Sequence, residues 1–343
     1  MATSNPGFDG RRAATLRDVA ALAGVSIATA SKALNGRDQV HPETRERVIA
    51  AAAKVAFRPN PMAQGLLRGQ TGTVGLLTDD LVGRFSLPIL MGAEDEFGSG
   101  SVSVFLADAR GDAIRQRHHL HAFLDRRVDG LIAVASNTDP RATLGRELPI
   151  PVIYAYGPSL DPDDTSLVPD NVSAGEIAVE HLVTTGRRHL ALISGDEAYL
   201  AARDRTEGVQ RAVAAAGLSL VEQVMYGSWS EAWGRTATRA LVDRVPELDG
   251  IICASDQIAR GSLDALRDLG VPVPERVAVL GFDNWEAVVA DSRPPLTSVD
   301  MNFEALGRAA ARRLTQAMSG ERHAGGVEKL PVRLVARAST ARV

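Results

Sequence analysis

The sequence predicts a small all-α head followed by a larger α/β core built on two parallel sheets. Three observations carry this: two short capped helices joined by a glycine turn near the start, a switch at Thr73 to short β-rich runs alternating with amphipathic helices, and a charge balance that changes sign along the chain. At 343 residues the chain exceeds one ordinary core and suits a small domain beside a two-lobed one.

The elements follow in order. Residues 1–14 are expected to be a disordered tail. Thr15 can cap a first helix whose Leu16, Val19, Ala20 and Ala23 share one apolar face, and Gly24 supplies the turn that ends it. Ser26 caps a second helix carrying Ile27, Ala28, Thr29, Ser31 and Lys32, followed by Asn35. These side chains are small or hydrogen-bonding and lie at or near the helix start, the end that enters the major groove in helix-turn-helix proteins. Two Ala-rich helices around a turn also suit a plain structural hairpin. A third helix weakens that alternative: it opens at Pro42 and runs through Thr44, Val48, Ala51, Ala52 and Val55. The head is thus set at 15–59. A hinge is placed at 60–71, where Asn60 as N-cap and Pro61 at the first helical position favour a short helix that Gly65 weakens.

Charge separates the two parts. Residues 1–70 hold 10 Lys/Arg against 5 Asp/Glu, a net of +5, so the remainder carries −9 to reach the total of −4. A basic head on an acidic body fits a polyanion at one end only. The single Cys253 lies in the apolar run Gly250 to Ala254, which excludes a disulfide framework and points to a buried strand residue in a reducing compartment. No signal peptide or long apolar span opens the chain, so a soluble cytoplasmic, nucleoid-associated protein without membrane contact is expected.

From Thr73 the pattern is βαβ. Strands are read at Val74–Leu77, Val102–Leu106, Gly130–Val134, Val152–Tyr156, Leu190–Ile193, Gly250–Ala254 and Val277–Phe282. Helices are read near Leu87–Phe97, Ala113–Arg126, Ser173–Thr184, Arg203–Ala216 and up to Leu269. So many strands would strain one sheet, so two lobes are expected, about 72–170 with 300–330 and 171–295 with 331–343. Ligands in open α/β sheets gather beyond the carboxyl ends of strands, and the residues there are polar. Asp79 and Asp80 follow the first run, Asp108 the second, Ser136 and Asn137 the third, with Tyr154 and Tyr156 in the fourth and Asp170-Asn171 before a helix. The second lobe offers Arg203 and Arg205, Trp229 and Trp233, Ser255-Asp256 and Asp283-Asn284-Trp285. Carboxylates and Arg bind vicinal hydroxyls and Trp covers the C–H face of a pyranose, so the chemistry fits a mono- or oligosaccharide. Structural readings stand beside these: Asp170 to Ser173 as a helix cap, a surface ion pair in Arg205 to Gly208, core filling by the tryptophans, and solvated rather than metal-binding His118, His119 and His121.

Several motifs in order, Leu16-Arg17-Asp18-Val19-Ala20, Ala23-Gly24-Val25-Ser26, Thr29 with Ser31, Leu34-Asn35-Gly36, Thr44 to Val48 and Arg58-Pro59-Asn60, make the chain similar to the lactose-repressor/galactose-repressor family of bacterial transcription regulators. The resemblance continues to the C-terminus. It implies a core like that of periplasmic sugar-binding proteins, crossed three times between lobes near Val168–Val172, Pro294–Met301 and Lys329–Val335. It implies a homodimer on palindromic double-stranded operator DNA, released or recruited by a small effector. It places Arg205 and Asp283 at the effector, and Leu66 of the hinge as a wedge in the minor groove. The DNA-reading set is then Thr15, Leu16, Ser26, Ile27, Ala28, Thr29, Ser31, Lys32, Asn35, Thr44, Asn60, Ala63 and Leu66. The effector set is Asp79, Phe85, Asp108, Ser136, Tyr156, Asp170, Arg205, Trp229, Asp256 and Asp283. The last residues carry no leucine heptad, so a dimer is the expected limit.

No cofactor or metal is implied, and no catalytic residue is assigned. No Gly-x-Ser-x-Gly elbow, phosphate loop or His-Glu-x-x-His helix is present. The competing readings are a glycoside-processing or sugar-binding protein, with Asp79 and Asp283 as a carboxylate pair, and a purely architectural DNA protein, which leaves the large polar-rimmed core unexplained.

Overall fold

The computed structural model describes residues 14–34, 40–57, 71–81, 83–98, 102–321 and 324–340. The chain divides into two units, 1–71 and 72–343. The tail at 1–13, Asn35 and the hinge residues Asn60, Ala63 and Leu66 lie outside the described residues.

The first unit is three helices, α1 (Leu16–Ala23), α2 (Ile27–Leu34) and α3 (Pro42–Lys54). Thr15 and Asp18 form a reciprocal capping box: the Thr15 hydroxyl accepts from the Asp18 N–H while the Asp18 carboxylate accepts from the Thr15 N–H at 2.7 Å. Gly24 stops α1 with φ +66°, a left-handed conformation glycine adopts without strain. Ser26 opens α2 by accepting the Thr29 N–H at 3.0 Å. Val19, Ala20, Ala23, Ala30, Ala33 and Val48 close a small core, and Arg47 donates to the Ala23 carbonyl at 3.1 Å.

The second unit has two lobes. In the first, the strands β1 (Thr73–Thr78), β2 (Ser103–Asp108), β3 (Gly130–Val134), β4 (Val152–Ala155), β5 (Thr165–Pro169) and β10 (Gly326–Leu330) form a parallel sheet in the order β10-β5-β4-β3-β1-β2. In the second, β6 (Leu190–Ile193), β7 (Gly250–Cys253), β8 (Ala278–Phe282), β9 (Thr297–Asp300) and β11 (Arg333–Val335) run in the order β11-β9-β8-β7-β6. This sheet is not wholly parallel. β11 pairs antiparallel with β9, because the chain leaves the second lobe after β9, passes through the helix Phe303–Met318 and β10 of the first lobe, and re-enters along β11 in the opposite sense.

Helices cover both faces. α4 (Ser86–Phe97) and α11 (Phe303–Met318) pack on one face of the first sheet, and α5 (Ala113–Asp125) on the other. α6 (Asn171–Thr184) with α7 (Leu200–Ala215) and α8 (Glu231–Arg244) with α9 (Asp256–Asp268) cover the second, and α10 (Glu286–Val289) follows β8. The three helix pairs share a device. A Cβ on Gly92 of α4 would strike the Glu304 carbonyl of α11, and one on Gly307 of α11 would strike the Ile89 carbonyl of α4. Gly175 and Gly208 do the same for α6 and α7, and Gly234 and Gly261 for α8 and α9. Reciprocal glycines let the backbones touch, so each pair docks closely in a fixed register.

Several boundaries differ from expectation. α7 begins at Leu200, three residues early, because the Leu200 N–H is accepted by Asp139 and so needs no capping side chain of its own. α6 begins at Asn171, capped by Asp170. Tyr156 lies past the end of β4 with φ +76°. β5, α8, β9, α10, α11, β10 and β11 were not read from the pattern, and α8 explains why: its buried face is Gly234, Ala237, Thr238 and Leu241, nearly devoid of large apolar residues. Among the described residues, no helix is long and apolar enough to cross a membrane.

Candidate functional site

In the head, packing sorts the side chains of α2. Ala30 and Ala33 turn inward, while Ser26, Ile27, Ala28 and Lys32 are exposed, Ile27 to 46 %. An exposed isoleucine beside alanine and lysine leaves a low surface that a base edge can approach, with one cation on it. Thr29 is half-buried and its hydroxyl shares a 2.8 Å hydrogen bond with Ser26, so it completes the cap before it meets anything else. Thr15, Leu16, Ser31 and Thr44 are half-buried around this face.

In the core, both sheets end at one cleft. The second lobe supplies a bolted centre. Arg205, 3 % exposed on α7, donates Nε to Asn171 Oδ1 at 2.8 Å, Nη1 to the Ala254 carbonyl and Nη2 to Asp283 Oδ1 at 3.1 Å, and lies 5.0 Å from the centroid of the Phe282 ring. Asp283 is buried with φ +98°, and Asn284 follows at +51°. Two successive non-glycine residues in that region are sterically unfavourable, and they aim the carboxylate back toward Arg205. Beside them Asp256 accepts from Ser298 Oγ at 2.6 Å and from the Trp285 N–H at 2.8 Å. Burial, with the neighbouring Asp283 charge, pushes its carboxyl up to about 8.

Trp229 lies edge-on to Tyr199 with centroids 6.1 Å apart and presses on Gly195, where a Cβ would meet the indole. Its Nε1 and the hydroxyl of Ser194 are buried without a hydrogen-bond partner among the described residues. Ser194 closes β6 as Ala254 closes β7 and Asp283 closes β8, so one unspent hydroxyl stands at the carboxyl end of β6, and Trp229 reaches it from the loop before α8 by way of Gly195. Trp233 plays the other part: its Nε1 donates to the Ser194 carbonyl at 2.9 Å and its ring packs on Gly227, which is core filling.

The first lobe contributes aromatics and charge. Phe85 packs on Tyr156 at 4.7 Å and on Phe303 at 4.9 Å. Burial pushes the Tyr156 phenol well above its ordinary range, so it faces the cleft as a neutral ring. Asp79 is held by Arg141 at 2.8 Å, which also bonds Gln116. Among the described residues, hydrogen bonds cross the cleft from Arg84 to Asp283 Oδ2 at 2.7 Å and from the Leu200 N–H to Asp139 at 2.7 Å, where Arg203 also lies 4.0 Å from the Asp139 carboxylate.

Three expected residues fall elsewhere. Asp108 closes the edge strand β2 and accepts the Arg110 N–H at 2.9 Å, lining an outer groove with His118 and His119, because its strand is the outermost of the sheet. Asp170 caps α6 by accepting the Ser173 N–H at 3.2 Å, and its other oxygen accepts the Ser173 hydroxyl at 2.8 Å. Ser136 is exposed with no bond to the centre. Conversely Arg84, Asp139, Ser298 and Phe303 escaped the sequence reading. Arg84 and Asp139 sit in loops whose partners are remote in sequence, so no spacing signals them, and Ser298 lies within β9, a strand the pattern did not yield.

A three-helix head and a two-lobed α/β core whose cleft gathers buried hydrogen-bonding groups define a ligand-responsive DNA-binding regulator as the class. Residues 15–60 match the profile of bacterial regulatory proteins of the lacI family, and residues 179–340 match a periplasmic binding protein-like domain. The HTH-type transcriptional regulator CelR of Thermobifida fusca is 35 % identical over 335 residues, covering 95 % of this chain and 96 % of that protein. The structure of a transcriptional regulator CelR–cellobiose complex superimposes with a TM-score of 0.64 at 31 % identity, over 95 % of this chain and 99 % of that one. The lac repressor dimer bound to operator and the anti-inducer ONPF superimposes at 0.77 and 27 % identity, over 96 % of this chain and 100 % of that one. The chain belongs to the lacI family of bacterial regulatory proteins.

Proposed function

We propose that this protein is a homodimeric cytoplasmic repressor of carbohydrate-utilisation genes, without catalytic activity, whose effector is a sugar of the cellobiose kind bound between the lobes. One observation carries the sugar reading: among the described residues the second lobe buries an unspent Ser194 hydroxyl just past β6 and an unspent Trp229 Nε1 whose ring lies on Gly195, in the sheet whose β7 and β8 ends hold Arg205 and Asp283. Such unmet hydrogen-bonding capacity suits a polyhydroxylated ligand. Cellobiose in the complex of a 31 % identical regulator supports the same class. The carboxylates speak against hydrolysis. In the free protein both oxygens of Asp283 accept guanidinium N–H groups and Asp79 is paired with Arg141, so the two are held in separate ion pairs rather than as an acid and base facing one another.

Operator reading is assigned to the exposed face of α2, with Lys32 reaching a base edge. Thr15, Leu16 and Thr44 flank it, and Asn35, Asn60, Ala63 and Leu66 complete it on the DNA. Calorimetry of cellobiose, maltose and lactose against the full chain, beside binding-site selection from random DNA duplexes, tests both halves. Saturable binding of a disaccharide that shifts affinity for the selected duplex supports the reading, and turnover of the sugar overturns it.

A further inference from the structure

Arg84 occupies the cleft in a way that bears on any ligand of Asp283. Its backbone is fixed: the loop is wound by Asp80, whose carboxylate accepts the Gly83 N–H at 2.8 Å and whose carbonyl accepts the Ser86 hydroxyl at 2.8 Å. The side chain leaves this loop of the first lobe and ends on the second. The guanidinium lies 4.9 Å from the Phe85 centroid on its own lobe and 5.5 Å from the Trp285 centroid across the cleft, while Nη2 reaches Asp283 Oδ2 at 2.7 Å. Among the described residues its Nε is buried without a hydrogen-bond partner, so the seat satisfies only part of the group. A cavity of about 400 Å³ opens beside it, lined by Arg84, Asp283, Trp285, Asn302 and Phe303 among others.

Asp283 has two oxygens. Oδ1 is committed to Arg205, which Asn171 and the Ala254 carbonyl hold in place. Oδ2 is committed to Arg84, whose side chain makes only that one hydrogen bond among the described residues and has open space alongside. Resting on the assignment of Asp283 to the effector, we infer that Arg84 is a cross-cleft latch and the specificity-determining residue of the site: a sugar enters by taking over both of its partners, giving a hydroxyl to Asp283 Oδ2 and a ring face to Trp285. The latch and the sugar exclude one another. A ligand offering only a hydroxyl, or only an apolar face, replaces half of what Arg84 gives up and is selected against. The latch also holds the lobes together in the free protein, assisted at the far rim by the Asp139 bond to the Leu200 N–H.

The test uses the full chain with spin labels on Leu160→Cys and Glu197→Cys, exposed positions on opposite lobes, Cys253 being buried and out of reach of the label. Labelled chains are diluted into unlabelled ones so that each dimer carries one labelled pair. Arg84→Met, which keeps the apolar stem, and Arg84→Ala are compared with the parent. Without sugar the label distance is expected to lengthen or broaden by several ångströms in both variants, and calorimetry is expected to show cellobiose bound at least threefold tighter, since no latch must be broken. An unchanged distance, or cellobiose bound more weakly by Arg84→Met, overturns the latch. A lengthened distance with no cellobiose uptake by parent or variants upholds the latch and overturns only the disaccharide reading.

Discussion

Individual residues in the cleft differ in how much they are worth, and burial decides it. Arg205 and Asp283 are 3 % and 1 % exposed at the side chain, so truncating either to alanine is expected to cost about 2 to 4 kcal/mol of effector affinity while operator binding survives, read by calorimetry and mobility shift. Arg211, paired with Glu207 on the surface, sets the contrast: its alanine variant is expected to change stability by less than about 1 kcal/mol. Asp256 adds a pH signature. Its carboxyl is raised to about 8, against about 4 in the unfolded chain, so the native state holds a proton that the unfolded state has already lost. Stability from this group is complete below pH 4 and declines as pH rises through 8, and Asp256→Asn is expected to flatten that slope in denaturant titrations. Of these residues, Asp256 and Asp283 stand out in the sequence because one opens a helix beside a strand and the other follows a strand, whereas Arg205, inside α7, is singled out by the family resemblance. Arg84 does not stand out, since its meaning comes from Asp283, 199 positions away.

Elements tell a similar story. The capping box at Thr15 and the glycine stop at Gly24 are local, so α1 and α2 were legible to within a residue, and Thr15→Ala is expected to lower the stability of the head by about 1 kcal/mol in thermal unfolding. The glycine clasps between helices are the opposite case. Gly92, Gly175, Gly208, Gly234, Gly261 and Gly307 sit inside helices, where glycine alone costs about 1 kcal/mol and reads as a break. Their value appears only when a second helix lies on them. Gly307→Ala is therefore expected to destabilise the core by about 1 to 3 kcal/mol in urea titration, despite alanine's better helix propensity. If instead it stabilises, the helices have room that the close approach of Ile89 denies.

Across the whole molecule, function reduces to linkage between a cleft in one unit and a DNA-reading face in the other. Whatever coupling free energy the sugar applies to operator affinity, operator must return in total to sugar affinity, so in a dimer with two clefts the factor on the duplex is the product of the factors on the two sites. Paired titrations, sugar with and without duplex and duplex with and without sugar, are expected to close on that relation within error, and a mismatch would show that the two clefts are not the whole of the sugar's action. The clasp between α4 and α11 carries a different consequence, one of timing. The second lobe draws all its helices and all but one edge strand from the continuous stretch 171–300, whereas the first lobe lacks α11 and β10 until residue 330 has been made. On the ribosome the second lobe can close while its neighbour still waits with the apolar face of α4, Ile89, Ala93 and Phe97, uncovered. The half that is translated first is thus the half that matures last, because the open face of α4 waits for α11 to cover it.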